Sequence, residues 1–555
     1  MRVPVERVRV GGVIKGSSDE DNTDRRSDHA SSRPSSLVLL FIAAVAPLLA
    51  LTPMLMQRKV IPQDEGQLLT YPSLMLRGLQ ANTDFVYTYG ISNLWALRIT
   101  FQAFGESVLV ERSLGLAVRL VLILVVTDMV RRSAGPKTAL LAGWTCALVL
   151  ASEGLQSFAW ISALTVGLLA VWLAANMPGD RRKLAIALPW FLAGAAISFR
   201  VDIAIAVVVA VGLAQWCRSL KLLPAWAASG FLLGLAPLWI QMLTADNVLS
   251  DSIIDPILNG GGRRLPLVPH DRTLAFSILL LLVALGVVCS VLWINRSHRF
   301  TAGYVNMLGL GTLAVLVFPQ VVQRVDLTHF SYVAPVLLPA AIAASVLGLE
   351  TIDRSKLRSP IPMTGLVLVA VTTLAAIGFG LVPLLRPTAV QARGAYTGRA
   401  DQLSTEVGVD GRTVPFDPSQ ATELRALLRT TASLFDPRKC ERLFVGPSDL
   451  RFARYSDTFI YFILERFKPA TRYLEFNPGG ANAKNSKLAD ELKSADVVIL
   501  NSDWDDPASL GQPSGAAPNE AGPAKPNEVI ERDFTTAASF GPWRLLLGAN
   551  CRAPG

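Results

Sequence analysis

The chain has 555 residues, 51% of them hydrophobic and 17% charged, with a net charge of +9 and a mean hydropathy of +0.41. Soluble domains carry about 25% charged residues, so this composition excludes an ordinary soluble enzyme and points to a membrane protein. Much of the positive balance sits in short loops between apolar runs, where it reads as orientation charge rather than as a nucleic-acid surface.

Residues 1–35, which include KGSSDEDNTDRRSDHASSRPSS, are polar and mixed in charge and read as a disordered tail. The next run, SLVLLFIAAVAPLLALTPMLM, is long for a signal-peptide core and is followed by no convincing cleavage site, so it reads as a retained first helix. A helix of about 20 apolar residues crosses about 30 Å of hydrocarbon. Such runs place helices at roughly 37–56, 113–130, 138–152, 158–176, 184–199, 203–217, 222–244, 273–294, 302–320, 331–349 and 361–385, about eleven crossings. If the N-terminus is cytoplasmic, the inner connections are RRSAGPK, MPGDRRK, CRSLK, NRSHRF and ETIDRSKLRSP, all basic. The same count puts the loop 57–112, and everything after about residue 386, on the outer face.

That outer loop opens with Asp64 and Glu65, side by side just past the first apolar run. Asp84 follows, then Tyr87 and Tyr89. QDEGQLLTYPSLMLRG and ISNLWALRITFQAFGE carry apolar residues among polar ones and read as amphipathic helices in the membrane surface. The acidic pair has two readings. Acids favour helix N-termini and can simply cap one; a carboxylate can also take the proton of a hydroxyl as that hydroxyl attacks an electrophile.

The acidic pair after the first membrane helix, followed by DFVYTYG, FQAFGES and VERSLGLAVRL, resembles the GT-C glycosyltransferase superfamily. Within it, the chain looks most like the branch of protein O-mannosyltransferases and lipid A aminoarabinose transferases. The resemblance covers about residues 36–385 and is strongest over 60–120; this chain has YGIS where YGPG is expected in close relatives. It implies an α-helical polytopic membrane protein of the plasma membrane. It also implies a sugar donor on a polyprenyl phosphate and transfer to an extracytoplasmic glycan, lipid or protein. The loop acid's role as general base falls first to Asp64, with Glu65 as its neighbour and Asp84 as a second candidate. Divalent-cation use varies among relatives and is left open.

A lipid-phosphate leaving group calls for positive charge, and guanidinium forks match phosphate geometry. Arg200 and Arg324 sit at outer helix ends, each with an acid two residues on, Asp202 and Asp326. These pairs also read as local ion pairs at helix termini. His329 and Tyr89 complete the candidate substrate-binding set; a lone histidine is more often structural. HExxH, CxxC and nucleotide-phosphate loops are absent from the sequence.

After residue 386 the apolar density drops, and a small extracytoplasmic α/β unit is expected. RLFVGPSD, TRYLEFN, ADVVILNS and WRLLLG read as strands, DTFIYFILERF and SKLADELKSA as helices, and 505–527 as a mobile loop. Cys440 and Cys551 are the two cysteines of this part, and an oxidising compartment favours a disulfide between them. Two rival functions stay beside the enzyme. A transporter or flippase of lipid-linked sugars would more often show paired repeats and midplane charges, and a non-catalytic assembly scaffold would keep the fold alone.

Overall fold

The computed structural model describes residues 34–178, 182–218, 224–254, 272–294, 301–323, 327–354, 385–397, 403–452, 455–477, 480–505 and 521–551. All but the last of the expected apolar segments fall on helices; the segment 361–385 lies almost wholly outside the described residues. The N-terminal half runs as α1 (Pro34–Met56), α2 (Asp64–Leu76), α3 (Ser92–Phe104), α4 (Val108–Glu153), α5 (Ala159–Asn176), α6 (Arg182–Ile197), α7 (Val201–Cys217), α8 (Pro224–Gly234) and α9 (Ala236–Thr244). Longer helices follow at Arg272–Ile294, Ala302–Val317 and Leu327–Arg354.

α4 is two helical arms joined at a sharp kink. Gly135 takes a left-handed φ of 84° and Pro136 follows it, a pairing that breaks a helix. A Cβ at Gly143 would meet the Thr127 hydroxyl at 2.7 Å, and the Arg119 Nη1 donates to the Gln156 carbonyl at 2.8 Å. The two arms therefore run antiparallel, as the separate segments 113–130 and 138–152 require. Among the described residues five helices are long and apolar enough to cross a membrane, with α4 counted once. The pair α8–α9, bent by 49°, adds a sixth if taken as one span. Leu39, Ile205, Trp216, Leu233 and Trp293 stand exposed on the outside of these helices, where water would penalise them and lipid would not. α6 and α8 approach closely because Gly230 and Gly234 face the Ala187 and Phe191 carbonyls.

The C-terminal part holds a two-stranded hairpin, β1 (Thr405–Val409) with β2 (Arg412–Phe416), and a five-stranded sheet. The sheet comprises β3 (Arg442–Pro447), β4 (Lys468–Pro469), β5 (Val497–Asn501), β6 (Phe534–Phe540) and β7 (Trp543–Gly548), in the order β4–β3–β5–β7–β6. β3 runs parallel to β4 and β5, while β7 is antiparallel to both β5 and β6. β5 is buried at every position, as a central strand covered on both faces should be. Cys440, before β3, is joined to Cys551, after β7, with their Cα atoms 5.4 Å apart.

Several local expectations are revised. TRYLEFN is not a strand, because its backbone serves the loop 57–112 instead of a ladder. The Arg472 carbonyl accepts from Val86 N at 2.8 Å, and Phe476 N donates to the Gln63 side chain at 3.1 Å. The two expected helices shorten to Phe459–Ile463 and Leu488–Leu492, and helices also form at Ala421–Ser433, outside the expected elements, and at Lys525–Asp533, which begins within the expected loop. The middle of the expected loop 505–527 lies outside the described residues.

α2 is also no surface helix: every residue from Glu65 to Met75 is buried. The C-terminal part covers it. Val60 N donates to the Pro415 carbonyl at 2.7 Å, Phe459 N to Pro62 at 3.2 Å, and the Thr70 hydroxyl to Thr458 at 2.9 Å. Gly66 permits the approach, since a Cβ there would lie 2.6 Å from Phe459 N.

Candidate active site

The residues behind the acidic pair form a buried lock. Glu65 accepts from Arg112 Nε at 2.7 Å and Nη2 at 3.0 Å, and both side chains are fully buried. Arg112 also donates to the Met56 and Arg58 carbonyls, each at 2.8 Å, which closes the C-terminal end of α1. Ile61 N and Gln156 Nε2 bond the second Glu65 oxygen at 3.1 and 3.3 Å. The next acid in VERSLGLAVRL, Glu111, accepts from the Ser157 backbone at 2.6 Å and its hydroxyl at 2.9 Å. These residues hold the end of α1, the start of α2 and both ends of α4 in one place.

Asp64 is one position earlier on α2, about 100° around the helix, and it faces elsewhere. It is partly buried at the first residue of α2, where the helix dipole favours a carboxylate. Its Oδ2 accepts from the Tyr455 hydroxyl at 3.2 Å. Burial, and then the Asp64 charge, push the Tyr455 phenol well above its ordinary pKa, so it stays a proton donor. Asp64 also lies within electrostatic reach of Tyr332.

Tyr332 leads to the cationic side of the site. The Arg200 guanidinium lies 5.2 Å from the Tyr332 ring and 5.3 Å from the Tyr89 ring. Its Nε donates to both Asp202 oxygens at 2.9 and 3.0 Å. His329 stacks on Tyr332 at 4.8 Å and Trp160 does so at 4.4 Å. Tyr89 is brought there by docking of its loop: Gly90 N donates to the Phe199 carbonyl at 3.1 Å and Ser92 N to Ser198 at 2.9 Å. A Cβ at Gly90 would lie 2.2 Å from the Ser198 oxygen, so only glycine permits this contact. Asn82 pins the start of the same loop at a left-handed φ of 64°. Its amide donates to the Tyr87 carbonyl and accepts from Gln241, both at 2.9 Å.

The structure thus brings Arg200 and His329 against Tyr332, with Tyr89 and Asp202 on Arg200, and Asp64 within electrostatic reach of the same ring. Glu65 is adjacent but turned into the buried lock. Asp84 is exposed, and its carboxylate accepts from Gln80 N at 2.7 Å within its own turn. Arg324 and Asp326 lie outside the described residues. Among the described residues no three His, Cys, Asp or Glu side chains gather as a metal-ligand set.

Tyr455, Tyr332, Trp160 and Glu475 were not singled out from the sequence. Glu475 acts electrostatically on Tyr71 and Tyr87. Tyr455 meets Asp64 and Glu475 acts on Tyr71 and Tyr87 across about 400 residues of chain, and Trp160 meets Tyr332 from another helix, so none of these pairings leaves a short-range signal.

The helix bundle with its covering loop and sheet shares its fold with a solved membrane protein. Among solved structures the chain is similar to ArnT, a lipid A aminoarabinose transferase, of Cupriavidus metallidurans bound to undecaprenyl phosphate. The TM-score is 0.54 and the identity 16%, over 94% of this chain and 100% of that one. The apo state of the same protein gives a TM-score of 0.48 at 16% identity over 94% and 99%. The oligosaccharyltransferase AglB of Archaeoglobus fulgidus, in complex with an inhibitory peptide and a dolichol-phosphate, gives 0.46 at 12% identity over 94% and 75%. No family model and no curated protein sequence matches the chain. At this identity the likeness to ArnT establishes the fold.

Proposed function

We propose that the chain is a membrane glycosyltransferase that moves a sugar from a polyprenyl-phosphate donor to an acceptor outside the cytoplasm. The observation that carries this reading is the convergence of Asp64 and Arg200 on Tyr332. The guanidinium lies on the Tyr332 ring, and the charge of a partly buried carboxylate reaches that same ring. Arg200 and Tyr89 bind the donor phosphate, with Arg324 and His329 as further candidates. Asp64 takes the proton of the acceptor hydroxyl as its oxygen bonds to the anomeric carbon. The sugar–phosphate C–O bond breaks and its electron pair leaves with the phosphate. Attack opposite the leaving group by one activated hydroxyl inverts the anomeric carbon. A donor on a lipid fits the apolar surround, and ArnT, whose fold this chain shares, was solved with undecaprenyl phosphate.

The basic inner loops favour a cytoplasmic N-terminus, about eleven crossings and an external C-terminal part. The acceptor is a glycan, lipid or protein of the envelope, and Asp84 and Glu65 take no direct part. The test is compositional analysis of envelope glycans in cells lacking the gene, complemented with wild type or Asp64→Asn. This reading expects one sugar to disappear, to return with the wild type, and to stay absent with the variant at equal protein abundance. Full restoration by Asp64→Asn would favour the transporter or scaffold readings instead.

A further inference from the structure

The Tyr455 hydroxyl reaches Asp64 from the C-terminal part, and that hydroxyl is itself held. Tyr455 stacks against Trp504 at 4.8 Å between ring centroids. Trp504 Nε1 donates to Asp457 Oδ1 at 3.2 Å. The other Asp457 oxygen accepts from Trp543 Nε1 at 2.8 Å and Asn501 Nδ2 at 2.7 Å. Asp457 is fully enclosed, so it is a fixed post anchored on β5 and β7. Next to Asp64, Gln63 accepts from Ser456 Oγ at 3.2 Å and Phe476 N at 3.1 Å. The segment bearing Tyr455 and the residue preceding Asp64 are thereby clamped together.

Resting on the reading of Asp64 as the base, we propose that Tyr455 is a positioning residue of the transfer reaction. By donating to Oδ2 it fixes the orientation of the carboxylate and favours its charged form. The C-terminal part is then a working wall of the site, on the acceptor side, rather than a passive cover. A phenol suits this role because it donates one hydrogen bond and, held protonated by burial and by the facing charge, does not compete for the acceptor's proton. Among the described residues, the ionisable groups next to Tyr332, which the Asp64 charge reaches, include Arg200 with Asp202 at the start of α7, Tyr89 of the loop and His329 from Leu327–Arg354, with Glu153 at the end of α4 also acting on it; the Glu65–Arg112 pair adjoins Asp64 in sequence. Substituting Tyr455 alters none of them.

The experiment is the pH–rate profile of the full-length protein in lipid vesicles, with wild type, Tyr455→Phe, Trp504→Leu and Asp64→Asn compared. Losing one hydrogen bond to a carboxylate slows turnover about tenfold; at 3.2 Å this is an ordinary rather than a tight charge-assisted bond, which sets the lower end of the effect. Because the donor stabilises the ionised base, its loss moves the acid limb of the Tyr455→Phe profile to higher pH. KM for the lipid donor stays the same. Trp504→Leu, which frees the Tyr455 ring, shifts the limb in the same direction by less. If Asp64→Asn is inactive and the Tyr455→Phe acid limb superimposes on wild type, Tyr455 is structural and this inference is wrong. If Asp64→Asn retains transfer, the reading of Asp64 as the base fails instead.

Discussion

A buried guanidinium is tolerated only while a carboxylate answers it. Arg112 is fully enclosed, and Glu65 supplies both of its charged contacts. Removing one member of such a pair costs about 3–5 kcal/mol, mostly from the charge left behind. Glu65→Gln is therefore expected to lower the thermal unfolding midpoint sharply and to reduce yield. Asp64→Asn, at a partly buried site, should stay within about 1 kcal/mol of wild-type stability while losing transfer. A thermal melt beside a transfer assay separates the two adjacent acids. Asp457 makes a second residue-scale prediction. Burial raises its pKa from the ordinary 3.8 to about 6, against the pull of its indole and amide donors. The folded protein then holds a proton that the unfolded chain has released between those values, so this group's stabilising contribution is present below pH 4 and lost as pH rises through about 6. Asp449 and Asp417 act with the opposite sign. Arg451 and Ser419 respectively hold them down to about 2, so their effect is confined to more acid solution. Tryptophan fluorescence melts, which report Trp504 and Trp543, should give a higher midpoint at pH 5 than at pH 7. Asp457→Asn should flatten that difference.

Elements were legible where their cause is local. The apolar runs announce helices because crossing a bilayer demands length and apolarity that few other structures share. The hairpin of β1 and β2 also has a local cause. Asp410 and Gly411 take φ of 54° and 86°, and Asp-Gly between alternating residues is a strong two-residue turn signal. α2 was placed correctly in sequence and wrongly in environment. Its covering contacts come from residues nearly 400 positions away, as with the Thr70–Thr458 bond at a separation of 388. Asp64 was singled out from its own segment, but its partner Tyr455 stands 391 residues on. The loop carrying Tyr89 supplies the test at this scale. Gly90→Ala would drive a Cβ into the Ser198 carbonyl and lift the loop, taking Tyr89 off Arg200. A displacement of about 1 Å at a positioning group can cost on the order of a hundredfold. The variant should raise KM for the lipid donor severalfold or more while leaving the protein folded in the membrane. Unchanged donor KM would mean that Tyr89 does not contribute to phosphate binding.

At the scale of the whole molecule, one end of the helix bundle is closed by chain from both halves. The Arg472–Asp251 ion pair and the Arg412–Glu106 pair at 2.9 Å join the C-terminal part to the helical part. The Cys440–Cys551 bond closes a segment spanning 111 residues around the sheet. Replacing either cysteine by serine should destabilise that part by about 2–4 kcal/mol, read as a lower midpoint in the tryptophan melt. Because Asp64 is clamped by the same part, transfer should become heat-labile in parallel; a melt unchanged by Cys440→Ser would remove the bridge from this account. The central claim is that Asp64 activates an acceptor hydroxyl for attack on a lipid-linked sugar. Its most direct measurement is single-turnover transfer by the purified protein in vesicles loaded with radiolabelled polyprenyl-phosphate sugar, wild type against Asp64→Asn. The account predicts labelled acceptor and released polyprenyl phosphate in equal amounts from the wild type. It predicts neither from the variant, which should still bind the lipid donor; equal product from both proteins would contradict it.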